Sequence, residues 1–355
     1  MTPFPQTVLW LPFWFLFAVS ATPTLMSEED LRAYVEKKLK RNEKVLRLNE
    51  RPIGDQGARF LAGSPFMLQV ERLEIYKGEI GDEGVRALAE SPNLAHLEAL
   101  YLENNEITDR GAQYLAQSKN LGRLKELNLY RNRVGDAGAT ALAGATALAG
   151  LVYLNLNYNN VRDAGALPLI AVAKEKDWQG LELSYNPLGE RALVELEKLR
   201  LTQKFKHLDR ESKLGDLEKN FIGDIGVEAL LELPSAGNLR ELNLNENDLT
   251  DEALVALAES KNMSNLEVLR LADNAIGDRG VIALARSKTL VHLKELNLNF
   301  NYIGTEGAKA IAESPNFSGL ESLRLGQNRI GWEGVKALNE SKVLTKLGHP
   351  IFGFY

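Results

Sequence analysis

A single column that returns every 27 residues constrains this chain more than any other feature. It is occupied by Arg51, Gly78, Asn105, Asn132, Asn159, Asn186, Asn220, Asn247, Asn274, Asn301 and Asn328. Every step is 27 residues except the 34 from Asn186 to Asn220. Eleven copies of one unit therefore fill residues 45–341. One repeated packing unit builds a solenoid, which offers a long surface rather than a dedicated cleft.

A representative unit reads Leu97-x-x-Leu100-x-Leu102-x-x-Asn105-x-Ile107-x-Asp109-x-Gly111, followed by Tyr114, Leu115 and Ala116. Leu100 and Leu102 alternate with period two, which predicts a short strand with one buried face. The later apolar positions follow a helical period. Strand, turn and helix repeat, so successive strands must be parallel. The position five before the column is Leu in ten of eleven units, Gly215 being the exception. Three before it stands Leu or Ile throughout, and ten after it Leu, or Ile at Ile311. These columns predict one shared core and a single continuous parallel sheet of about eleven strands.

The asparagines are expected to bond the turns above and below, because an amide both donates and accepts. Asp55, Asp82, Asp109, Asp136, Asp163, Asp224, Asp251 and Asp278 follow the column by four. Each is expected to cap its own helix start. Gly111 and its equivalents would let that helix start press close to the neighbouring backbone. With a capping role and no ligand cluster beside them, these carboxylates are not read as metal sites.

The pattern LxxLxLxxNxIxDxGAxxLA resembles the leucine-rich repeat, in its ribonuclease-inhibitor-like class, over about five-sixths of the chain. The resemblance implies an α/β horseshoe with a parallel β-sheet on the concave face and helices on the convex face. It also implies that the concave sheet and its adjoining loops bind another protein. Ribonuclease inhibitors alternate two repeat lengths and are rich in cysteine, whereas this chain has one length and no Cys. Ran GTPase-activating proteins carry similar repeats with an acidic tail and a functional loop arginine. No such tail is seen here, and no position takes that arginine. Regulation of a small GTPase is thus the second function that the resemblance implies.

Net charge is −6, which argues against nucleic acid bound through a general basic field. The histidines, His96, His207, His292 and His349, form no evident dyad, and no HExxH or phosphate loop occurs. The expectation is a non-catalytic protein with no cofactor and no metal.

At the amino end, Val8–Val19 is apolar but too short to span a membrane. Residues 1–25 read either as a signal peptide cleaved near Ala21, giving an exported protein, or as a mis-called start ahead of Met26, giving a cytoplasmic one. Residues 26–44 are expected to form a capping helix begun by Ser27, with Leu31, Tyr34, Val35 and Leu39 on one stripe. Residues 342–355, with Leu347, Pro350 and Phe352 in degenerate strand columns, are expected to close the stack.

The long step holds seven extra residues, about two helical turns. It concentrates Lys198, Arg200, Lys204, Lys206, Arg210 and Lys213. This segment reads as a solvated extension or as a secondary basic partner site. Trp178 and Gly215 replace leucines around it, so the core should be repacked there.

Strand residues in alternate columns point away from the core. Tyr101, Glu103, Asn128, Tyr130, Asn155 and Asn157 are such residues, joined by Glu126 and Tyr153, with Tyr158 and Tyr185 at the rim. Tyrosine with Asn and Glu makes a contact surface of the kind enriched at interfaces. Tyr101, Tyr130 and Tyr153 are the expected anchors. In the later half the same columns carry Asn243, Asn245, Arg270, Asn297, Asn299 and Arg324, with Glu241 and Glu295.

Overall fold

The computed structural model describes residues 25–348 and 351. The apolar run Val8–Val19 lies outside these residues, as do His349, Pro350, Phe352 and Tyr355. Ser27 Oγ accepts the backbone N–H of Asp30 at 3.1 Å and starts helix α1, Glu28–Leu39. Glu28, Glu29 and Asp30 in its first turn suit the positive end of the helix dipole. Leu31 and Val35 are fully buried and share a core with Leu46 and Leu48.

Each repeat then contributes a three-residue strand and a helix. Strands β1 Val45–Arg47, β2 Arg72–Glu74, β3 Ala99–Tyr101, β4 Glu126–Asn128, β5 Tyr153–Asn155 and β6 Gly180–Glu182 form one parallel sheet in sequence order. Strands β7 Glu241–Asn243, β8 Val268–Arg270, β9 Glu295–Asn297 and β10 Ser322–Arg324 form a second. Leu100 pairs with Leu127 and Leu127 with Leu154, so register advances by one repeat per strand. The helices are α2 Gly54–Gly63, α3 Asp82–Glu90, α4 Asp109–Ala116, α5 Asp136–Ala143, α6 Asp163–Glu175, α7 Glu190–Arg210 and α8 Gly223–Leu231. After them come α9 Asp251–Glu259, α10 Asp278–Ala285, α11 Thr305–Glu313 and α12 Trp332–Asn339. They turn Leu88, Leu115, Leu142, Leu257 and Leu284 into the core. Near the carboxyl end Leu325 N donates to Ile351 O at 2.9 Å and Gly348 N to Glu321 O at 3.0 Å, against the outer edge of β10.

The single continuous sheet expected from the columns is therefore two. The strand of the seventh unit is reduced to one bridge, Asp216 to Asn243. The core divides at the same place, with Leu199 closing one cluster and Leu201 opening the next. The cause is α7, 21 residues long where α4 has 8 and α6 has 13. Its first half stays in the helix layer, where Lys198 pairs with Glu228 of α8 at 2.5 Å. Its second half descends along the open edge of β6. Arg200 lies 3.8 Å from Glu182 and 3.4 Å from Ser184 Oγ, Gln203 Nε2 donates to Trp178 O at 2.6 Å, and Lys206 pairs with Asp177 at 2.6 Å. Numbers rise along α7 as they fall along β6, so the helix runs antiparallel to the strand. On its other flank Lys204 Nζ donates to Asn220 Oδ1 at 2.7 Å. In the helix layer Lys174 of α6 pairs with Glu232, immediately after α8, bypassing α7. A helix has taken a strand's place. In the seventh unit Gly215 is required, since a Cβ there would meet Glu241 O at 2.9 Å.

Two rungs tie neighbouring repeats, and both differ from expectation in direction. Asn132 Nδ2 donates to Leu102 O at 2.9 Å and to Leu129 O at 3.1 Å, while its Oδ1 accepts Ile107 N at 3.1 Å. The amide serves its own turn and the preceding repeat rather than the turns on both sides. The aspartates reach the opposite way. Asp109 is the first residue of α4, not its cap, and its Oδ1 accepts Gly135 N and Gly138 N at the start of α5. Asp82 does the same for Thr108 and Gly111, and Asp251 for Gly277 and Gly280. Helix starts leave N–H groups without partners in their own helix, and here the previous repeat supplies the acceptor. Gly138 is small because a Cβ would sit 2.8 Å from Asp109 Oδ1 and 2.9 Å from Asp109 Cα. Ser91, Ser118, Ser287 and Ser314 add a third rung that the columns did not reveal, each donating to an alanine carbonyl one repeat earlier.

Candidate protein-binding face

The outward columns of the first sheet do not form one uniform patch. Three groups of side chains can be separated by their contacts.

Arg72, Tyr101 and Glu126 form the first. The Arg72 guanidinium lies 4.3 Å over the Tyr101 ring and pairs with Glu74 at 2.7 Å and Glu126 at 3.8 Å. The Tyr101 hydroxyl donates to the Glu126 carboxylate. Burial, and the negative charge it faces, push the Tyr101 phenol up to about 12. Tyr101 is thus engaged within the chain.

The second group is a tyrosine stack. Tyr158 and Tyr185 lie face to face at 4.0 Å and 13°, and Tyr130 meets Tyr158 edge-on at 5.3 Å and 70°. The edge-on contact is an arrangement that aromatic quadrupoles favour. Tyr185 is 71 % exposed and Tyr158 is also open to solvent. Their placement follows from the backbone. The residue just before the asparagine column is left-handed in all eleven repeats, from Glu50 at φ 56° through Tyr158 at 56° and Tyr185 at 58° to Gln327 at 59°, and none is glycine. That conformation swings the side chain to the rim.

Tyr153 belongs to neither. It covers Gly180 on the adjacent strand, where a Cβ would lie 2.8 Å from its ring. Burial, then the nearby Glu182, raise its phenol pKa. The structure therefore joins Tyr130 to Tyr158 and Tyr185, and leaves Tyr101 and Tyr153 apart from them.

The asparagines organise this surface. Asn128 Oδ1 accepts Tyr130 N, and Asn155 Oδ1 accepts Asn157 N, each at 2.9 Å. Asn157 Oδ1 accepts Ser184 N at 2.6 Å. Asn128 Nδ2 donates to Glu103 Oε1 at 2.8 Å. In the second sheet Arg270 holds Glu295 at 3.0 Å and Glu241 at 3.6 Å, while Asn297 and Asn299 are buried.

The basic segment is largely consumed in holding α7. Lys198, Arg200, Lys204 and Lys206 make the contacts given above, and Lys213 pairs with Glu211 at 2.8 Å. The hydrogen bond to Glu228 raises the Lys198 pKa. Arg210 remains exposed and enters no ion pair among the described residues.

Sequence reasoning missed Phe221, Phe300, Tyr302 and Trp332, all strongly exposed, with Phe221 at 76 %. It also missed Tyr76, which shares the column of Glu103 and Tyr130 one repeat earlier. Phe300 occupies the left-handed column, so reading that column as a rim would have found it.

Among the described residues no group of His, Asp and Glu is placed to hold a metal ion, and no helix is long and apolar enough to cross a membrane.

A family model described as a leucine-rich repeat matches residues 93–116, 124–143, 151–169, 238–258, 262–285, 289–312 and 320–338. No matched segment enters the α7 region. No curated protein matches the chain. Among solved structures it is similar to an internalin from Listeria monocytogenes, at 20 % identity and a TM-score of 0.34, covering 92 % of this chain and 95 % of that one. It is also similar to a chain of the yeast Rad7 and Elc1 complex, at 18 % identity and a TM-score of 0.37, covering 89 % and 81 %. Seven matched repeats, set in a register kept through eleven, identify the chain as a leucine-rich repeat protein.

Proposed function

We propose that this chain is a non-catalytic protein-binding scaffold whose contact surface is the concave face of the first sheet, centred on Tyr130, Tyr158 and Tyr185. Leucine-rich repeats are typically protein-binding scaffolds. The observation that carries the location is the stack itself. Two tyrosine rings stack at 4.0 Å on open rim, and Tyr185 leaves 71 % of its surface to water. Rigid aromatic side chains of this kind supply much of the energy at interfaces. The alternative of a small-GTPase regulator is favoured by no observation.

The test is capture on the immobilised full chain, identification of the captured protein by mass spectrometry, and calorimetry with that protein purified. Replacing Tyr158 and Tyr185 together by Ala should weaken binding by about 30-fold or more, the weight of one aromatic hot spot. Melting should barely change, because the rings are exposed. Unaltered affinity in the double variant would remove the stack from the interface and defeat this reading.

A further inference from the structure

Tyr76, Glu103 and Tyr130 follow one another in one outward column, on the strand ends of three adjacent repeats. Neighbouring strands are about 4.8 Å apart, so Glu103 has a tyrosine on either side of it in its column. The other outward carboxylates of this sheet each have a cation. Glu74 has Arg47 at 2.8 Å and Arg72 at 2.7 Å, Glu126 has Arg72 at 3.8 Å, and Glu182 has Arg200 at 3.8 Å. Glu103 enters no ion pair among the described residues. Asn128 Nδ2 donates to its Oε1 at 2.8 Å, which fixes the group. Burial, with Glu74 nearby, raises its pKa, as expected of a half-covered carboxylate without a counter-ion.

We propose that Glu103, flanked by Tyr76 and Tyr130, is the receptor for an arginine side chain presented by the bound protein. The proposal rests on the binding face assigned above and adds the chemistry of its partner. A planar guanidinium can lie against tyrosine faces while its N–H fork meets a carboxylate, and it sheds water more readily than an ammonium. The chain already builds this combination one column away, with Arg72 over the Tyr101 ring at 4.3 Å and paired with Glu74 and Glu126. At Glu103 the carboxylate is present and no arginine pairs with it, while Lys77 Nζ lies 5.1 Å over the Tyr76 ring, a cation that an incoming guanidinium would displace or join. The same column of the second sheet holds Glu218, Asn245, Ala272, Asn299 and Gly326, with no ring, so the site is confined to the first sheet.

The probe is an end-capped Gly-Arg-Gly tripeptide, titrated into the full chain at low ionic strength and followed by NMR of the tyrosine rings. Citrulline and lysine versions serve as comparisons. Citrulline keeps the shape of arginine and removes its charge. The arginine peptide should shift the Tyr76 and Tyr130 rings, and citrulline should bind at least about tenfold more weakly. Glu103→Gln keeps the Asn128 hydrogen bond and should lose the same factor. Glu313→Gln, on a distant helix, should change binding less than twofold on the same scale. Equal binding of citrulline, no effect of Glu103→Gln, or no shift of either ring would overturn the proposal. A lysine peptide that binds as well as arginine would also overturn it, in favour of a general cation site. The two readings fail separately. If capture of the identified partner survives Glu103→Gln but is lost with Tyr158 and Tyr185, the arginine receptor is wrong and the binding face stands. If capture survives both changes, both are wrong.

Discussion

Asp109 Oδ1 accepts the backbone N–H groups of Gly135 at 2.6 Å and Gly138 at 2.9 Å, so the start of α5 is completed by the repeat before it. The bond is charge-assisted and joins groups that water would otherwise serve. Asp109→Ala should cost about 1–3 kcal/mol in urea unfolding, and Asp109→Asn less, because an amide oxygen still accepts. A midpoint unchanged in Asp109→Ala would show that solvent caps α5 equally well.

Glu103 should trade stability for its position. Its folded-state pKa is raised by burial, so the folded form prefers the proton more than the unfolded form does. The stability this confers is present below the unfolded pKa and is lost as pH rises through the folded one. An amide removes the cost of burying that charge, so Glu103→Gln should raise the melting temperature at neutral pH. Below the carboxylate range that advantage should vanish. A variant that melts lower than the parent at pH 7 would mean that a cation compensates Glu103 in solution.

Tyr101 should be among the last phenols to ionise. Its pKa of about 12 lies above the ordinary phenol value of 10.0, so its contribution to stability is intact below 10 and lost as pH climbs from there to about 12. Ultraviolet titration of the parent and of Tyr101→Phe should differ by one phenol near the upper end of that window. A difference centred at 10 would place the hydroxyl in water rather than on Glu126.

Leu46 and Leu129 are both at 0 % exposure, although one belongs to the first repeat and the other to the fourth. An end unit, with only one full repeat beside it, would be expected to lose less on truncation. Helix α1 removes that difference by laying Leu31 and Val35 into the same core. Each Leu→Ala change should therefore cost about 2–5 kcal/mol. A markedly smaller loss at Leu46, read by denaturant unfolding, would mean that α1 detaches readily.

The repeat columns made the strands, the helices and the buried leucines legible, because each position is written many times. Direction was harder. An aspartate four residues past an asparagine has the same spacing whether it serves its own helix or the next, and only the stacking of α4 on α5 decides. The seven extra residues were compatible with a longer helix but carried no sign that it would enter the sheet layer. At the candidate site the outward columns were readable from period two, which is why Glu103 and Tyr130 were found. Which tyrosines touch depends on the left-handed residue before each asparagine. Tyr158 and Tyr185 stand in that conformation without the Gly or Asn that would advertise it.

A stack of repeats ordinarily unravels from two ends. Because α7 lies between β6 and the seventh unit, this one has four. The backbone around Leu183 and Asp216, deep in the chain by number, borders a strand edge served by helix side chains rather than by a ladder. Amide exchange there should resemble that of a terminus, and unfolding should proceed as two coupled arrays meeting at a joint. A protein that looks like one ruler is then mechanically two shorter ones, and a partner that grips both at once would hold them at a fixed angle.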